Sequence, residues 1–135
     1  MPLNNEQILK MDPIELQDWL IKEFELNTPL PTEISSIEDM KNTEKMISTL
    51  TNRLSYLSSL GVYAKIAVRN AKRKGKDFKI EHEDMVDRQT AINAAEETVK
   101  QQYNAISRMI TVKQEINKEL YMSEGIINKV QGVQN

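Results

Sequence analysis

Seven cations fall between Lys65 and Lys79: Lys65, Arg69, Lys72, Arg73, Lys74, Lys76 and Lys79, opposed within the segment by Asp77 alone, for a local net charge of +6. Each phosphate neutralised by such a cluster releases condensed counterions, so it can hold DNA or RNA without reading sequence. An acidic protein surface would satisfy the same charges. Phe78 is the only aromatic in the segment, so no stacking platform for single strands accompanies it. A plainer reading needs no ligand: Lys and Arg complement the negative end of a helix dipole and keep a coiled coil in solution.

The other reactive residue types do not assemble into chemistry. His82, in Glu81-His82-Glu83-Asp84, is the only histidine, and no cysteine or second histidine can complete a metal site with it. Those acids instead suit the positive end of a helix. There is no nucleophile elbow, no glycine-rich phosphate loop and no Cys–His pair, so no catalytic residue and no cofactor site is expected. The carboxylate pairs Glu96–Glu97 and Glu115–Glu119 fall on expected solvated helix faces. Trp19 and Phe24 form the main aromatic cluster; they either anchor a protein partner or pack a short helix onto a bundle. Tyr56, Tyr63, Tyr103 and Tyr121 can line a helical seam with their hydroxyls at its wet edge.

The elements that must position these groups are helices. Of 135 residues, 39% are apolar, 5% aromatic and 28% charged, with four glycines and four prolines. Few turns and many Lys, Glu, Gln, Ile and Met point to long helices packed along narrow seams. The absence of cysteine fits a reducing cytoplasm. Met1-Pro2-Leu3-Asn4-Asn5-Glu6 lacks the basic and apolar stretches of a signal peptide, and no apolar run is long enough to span a bilayer. The net charge of −2 conceals a division: residues 1–47 hold ten acidic and four basic side chains, and residues 80–135 sum to −3.

Asp12-Pro13-Ile14-Glu15 predicts a helix start, with a cap, a proline at the first position and a Glu placed to bond back. Leu16, Trp19, Leu20 and Phe24 give that helix one apolar face, and Pro29 and Pro31 end it. A second helix starts at Ser35 or Ser36. Met40, Thr43, Ile47, Leu50, Leu54, Leu57, Gly61, Ala64, Val68 and Ala71 alternate at spacings of three and four, a coiled-coil seam. Its small residues Gly61, Ala64 and Ala71 predict close helix approach there, and Gly75 suits a left-handed cap. After a link at 76–81, a third helix is expected from about Glu83 to about Ser123. Its stripe runs through Ile92, Ala95, Val99, Tyr103, Ile106, Met109, Ile110, Ile116 and Leu120, and Gly125 ends or bends it.

Two helices of about 40 residues, each about 55–60 Å long, with a short link must pair antiparallel. The expected fold is all-α: a long antiparallel helical hairpin with a short N-terminal helix. Residues 1–34 form the N-terminal segment, 35–124 the hairpin and 125–135 a flexible tail. The short helix is expected near the open end, over Met40 to Leu50 and Ile116 to Leu120. A two-helix hairpin buries little apolar area by itself, so a homodimer is expected.

Tyr103-Asn104-Ala105-Ile106-Ser107-Arg108, followed by Lys113-Gln114-Glu115-Ile116-Asn117-Lys118-Glu119-Leu120, resembles a class of small helical proteins encoded by bacteriophages among genes for recombination, replication or host takeover. The resemblance covers about residues 45–122. It implies a non-enzymatic accessory factor in the host cytoplasm: a helper of DNA recombination, or an inhibitor of a host nuclease or defence complex. Together these observations give a protein-binding factor acting through its hairpin, with a nucleic-acid-binding factor using the basic tip as the alternative. No membrane role is expected.

Overall fold

The computed structural model describes residues 3–134, with side chains through Glu119. It contains four α-helices: α1 (Asn5–Ile8), α2 (Pro13–Glu23), α3 (Ile37–Arg73) and α4 (Lys79–Gln134). A single 3-10 turn, Lys76–Phe78, joins α3 to α4, and no strand forms among the described residues. The fold is the all-α antiparallel hairpin expected from the heptads.

Local signals start each helix. Asn4 and Gln7 form a reciprocal capping box around α1, with N···O distances of 2.8 and 3.0 Å. This Asn-x-x-Gln pattern places Ile8 fully in the core, a stronger role for the first ten residues than their weak periodicity suggests. Asp12 accepts from the amides of Ile14 (3.1 Å) and Glu15 (3.4 Å) at the start of α2. The return bond expected from Glu15 is not among the bonds that form, so Asp12 caps α2 alone. Ser36 caps α3 by accepting from the Asp39 amide at 3.0 Å.

The end of α2 comes earlier than its prolines demand. Glu25 takes a left-handed conformation at φ 49°, Leu26 donates to the Ile21 carbonyl at 3.0 Å, and Glu25 donates to Lys22 at 3.4 Å. That is a Schellman ending with glutamate where glycine is usual.

The short helix does not sit at the open end. Arg88 Nε on α4 donates to the Met11 carbonyl at 2.7 Å, and Gln102 Nε2 on α4 donates to the Leu26 carbonyl at 3.4 Å. These contacts join residues separated by 77 and 76 positions, so α2 runs parallel to α4 along the middle of the hairpin. The extended segment 27–36, too rich in proline to be helical, runs on toward the open end. Leu30 and Pro31 lie beside Ala105, Met109 and Val112, and Ile34 is buried. Ile116, expected beneath the short helix, is 46% exposed.

The N-terminal layer converts the middle of the hairpin into a three-helix core. Ile8, Leu16, Leu20, Phe24, Leu50, Leu57, Leu60, Ala64, Ile92, Ala95, Val99 and Ile106 form one buried cluster. Each large aliphatic there stabilises the fold by about 1.5–3 kcal/mol relative to exposure. The seam of α3 is buried unequally. Thr43, Leu50, Leu57, Ala64 and Ala71 are fully buried, whereas Met40, Ile47, Leu54, Gly61 and Val68 remain half-exposed. Leu60, outside the expected seam, is buried because it lies on the flank that the N-terminal layer covers. Met85 and Gln102 likewise join the buried face of α4.

Two expectations near the turns change. A methyl group on Gly61 would meet Asn93 and Glu96 at 3.7 Å and Ile92 at 4.0 Å, ordinary contact distances, so the helices do not approach closely enough there to require glycine. α4 starts at Lys79, four residues before Glu83, and its backbone continues through Gly125 to Gln134. The side chains of the expected flexible tail at 125–135, and that of Leu120, lie outside the described residues.

Candidate functional site

The hairpin closes on a turn that fixes where its cations point. Lys74 and Gly75 donate to the carbonyls of Ala71 (3.2 Å) and Lys72 (3.3 Å), ending α3, and Phe78 donates to the Gly75 carbonyl at 3.1 Å. Gly75 has φ 92° and ψ −169°. This is the mirror-extended region, open essentially to glycine alone, rather than the left-handed helical cap that the sequence suggests.

All seven cations from Lys65 to Lys79 are exposed. Lys74 differs from the others. Its Nζ lies 2.8 Å from Glu81 Oε1 and 5.5 Å from the centroid of the Phe78 ring. It braces the closing turn and lies over the only aromatic ring of the segment, which is still 45% exposed. The remaining six take part in none of the three ion pairs formed among the described residues, which are Lys10–Glu6, Arg53–Glu25 and Lys74–Glu81.

Helical geometry assigns these six to a side. Tyr56 on α3 stacks with Phe24 at 5.6 Å between centroids, so it marks the flank under the N-terminal layer. Lys65 follows Tyr56 by nine residues, two and a half turns, and therefore points the opposite way. Arg69 and Lys72 share the side of Lys65, with Arg73 at its edge. On α4, Arg88 bonds Met11 in the N-terminal layer, and Lys79, nine residues earlier, also points away from it. Lys65, Arg69, Lys72 and Lys79 thus share the uncovered flank of the hairpin near its tip. The acids of α1 and α2 (Glu6, Asp12, Glu15, Asp18, Glu23) lie in the layer on the other flank.

No protein-family model, curated protein or solved structure matches this chain.

Trp19 and Phe24 are brought together edge to face, with centroids 5.9 Å apart and planes at 86°. Phe24 is only 7% exposed and packs against both Trp19 and Tyr56, and its carbonyl accepts from Arg53 at 3.1 Å. A ring enclosed in this way cannot reach a partner, which corrects the reading of Phe24 as a surface anchor; Trp19 remains half-buried. Burial, with a smaller contribution from the Glu23 carboxylate, raises the Tyr56 hydroxyl above the usual phenol value.

A different apolar group is exposed. Val62 (57%) and Ile66 (47%) lie on the side of α3 opposite its buried seam, and Tyr63 (50%), one heptad after Tyr56, borders them toward the flank of the N-terminal layer. Arg69 and Arg73 follow three and seven residues after Ile66, and so continue the same side. Val62 and Ile66 stand outside the heptad, and that departure is the sequence signal for them. Among the described residues, no group of three or more His, Cys, Asp or Glu is placed to hold a metal, and His82 is half-buried in the first turns of α4. The recesses are open grooves. The one between 25–30 and 42–53 is lined by Glu25, Leu30, Met46, Leu50, Arg53 and Gln102.

Proposed function

We propose that this chain is a non-catalytic accessory protein that docks onto a larger protein assembly through the outward side of α3. The reading belongs with the phage-type resemblance: the assembly would be recombination machinery, or a host nuclease or defence complex, met in the host cytoplasm. The observation that carries it is the exposure of Val62, Tyr63 and Ile66 in one patch beside Arg69 and Arg73. Aromatic residues and arginine are enriched at protein interfaces, where a few such side chains carry most of the binding energy. Among the described residues, no helix is long and apolar enough to cross a membrane.

The test is affinity purification from the native cell with wild-type protein and with Tyr63→Ala/Ile66→Asp. Both changes fall on exposed positions, so helicity by circular dichroism is unchanged. A partner recovered by wild type and lost by the variant supports the reading. A partner held equally by both removes the α3 patch from it.

Homodimerisation belongs to the same proposal. Ile47 and Leu54 remain half-exposed on the flank away from the N-terminal layer and short of the tip, and a second copy laid there would bury them. Light scattering that reports a monomer at the highest attainable concentration would eliminate the dimer and leave the docking patch standing.

A further inference from the structure

We propose that the uncovered flank at the hairpin tip is a binding site for the phosphate backbone of duplex nucleic acid, engaged without base recognition through Lys65, Arg69, Lys72 and Lys79. Arg73 and Lys76 lie at its edge.

Three observations select this ligand. The first is supply. These six cations form no ion pair with the chain's own acids among the described residues, although the N-terminal layer carries enough carboxylates to neutralise them. The fold puts that layer on the opposite flank, so the positive charge is left facing solvent. Asp77, Glu81 and Glu83 are the nearest acids in sequence; all three are exposed, and only Glu81 is in an ion pair, with Lys74. The second is spacing. Lys65 to Lys72 spans about 10 Å of helix, while a duplex presents a phosphate charge about every 1.7 Å along its axis, so several cations meet phosphates at once. The third is the form of the nucleic acid. Single-strand binders stack bases on successive aromatic rings, and this segment offers Phe78 alone, with Lys74 over its ring. A backbone that is already ordered asks only for charge.

The acidic flank gives the contact an orientation, since only one side of the molecule can approach a polyanion. The overall charge of −2 keeps the interaction weak. Affinity belongs in the range of sequence-independent binding, with Kd of about 10⁻⁴ to 10⁻⁶ M near physiological salt. The site shares Arg69 and Arg73 with the docking side of α3 but does not depend on it; Tyr63→Ala/Ile66→Asp leaves every cation in place.

The test is fluorescence anisotropy of the full chain on a labelled duplex of about 20 base pairs and arbitrary sequence, from about 25 to about 200 mM NaCl. Log affinity should fall linearly with log salt, with a slope of about −4 to −5, and a scrambled duplex should bind equally. Lys65→Gln/Arg69→Gln/Lys72→Gln/Lys79→Gln should weaken binding at least about tenfold at the lowest salt, and each single change should reduce the slope by about 1. Lys10→Gln/Lys22→Gln/Lys41→Gln/Lys45→Gln alters net charge by the same amount and should retain most of the affinity, as should Lys74→Gln. The proposal is overturned by any of four results: no binding at the lowest salt, equal loss in the two quadruple variants, tighter binding to the single strand, or displacement of the duplex by polyglutamate as readily as by unlabelled duplex. The last outcome would make the ligand an acidic polypeptide.

Discussion

The middle of the hairpin and its tip are built from the same two helices and held by different forces. In the middle, α2 adds a third layer, and Leu16, Leu20, Leu57, Leu60 and Ile92 lose nearly all contact with water. At the tip the layer is absent. Ala71 and Met85 are the last buried residues before the turn, and the closing segment relies on Gly75, a surface ion pair and a cation over a ring. Surface pairs of this kind contribute about 0–1 kcal/mol each. Stability is therefore concentrated beneath the N-terminal layer, and the exposed cations where burial is scarce. The tip is free to carry cations that a packed region could not hold.

Truncation in the middle should have the largest effect. Leu20→Ala should cost about 2–5 kcal/mol in urea unfolding, because the transfer loss is joined by a cavity beneath α2. Phe78→Ala at the tip should cost about 1 kcal/mol or less, the scale of an exposed cation–ring contact. Equal costs at the two sites would break the comparison.

The glycines sharpen it at the next scale. Gly75→Ala forces a side chain into the mirror-extended region and should destabilise by about 1–3 kcal/mol. Gly61→Ala meets only ordinary contacts and should stabilise by about 0.5–1 kcal/mol through helix propensity. Thermal melts of the two variants should therefore shift in opposite directions.

The smallest effect lies at the open end. Asp39 accepts from the Ser35 hydroxyl at 2.8 Å and from the Ser35 amide at 3.1 Å. Chiefly the hydroxyl bond, then the amide bond, hold its carboxyl below the usual carboxylate range. A depressed carboxylate contributes stability that is present above its unfolded value and lost as pH falls through its folded value. Asp39→Asn should flatten that acid-side dependence by slightly lowering stability at neutral pH, with wild type and variant converging once the pH falls below the folded value of the carboxyl.

Helix identity was legible because its signals are local. Asp12-Pro13, Ser36 and the heptad from Met40 to Ala71 each act within a few residues, and each produced the element it implied. Glu25 was not legible, since nothing local distinguishes a glutamate that will take φ 49°. The layer's position over the middle was also hidden. It depends on Arg88 and Gln102 meeting carbonyls some 77 and 76 residues away. At the tip the cations were visible, but Lys74's engagement with Glu81 and Phe78 was not.

By itself, then, the sequence determined an all-α hairpin, its turn and its concentration of positive charge at one end, because periodicity, capping and composition operate along the chain. Only the tertiary structure decided that the two seam positions of α3 are unequal. The N-terminal layer covers one flank, burying Leu60 and leaving Leu54, Gly61 and Val68 at the margin. The same asymmetry separates acids from bases across the molecule. A heptad repeat specifies that two helices meet, and it contains no information about which flank a third element will cover.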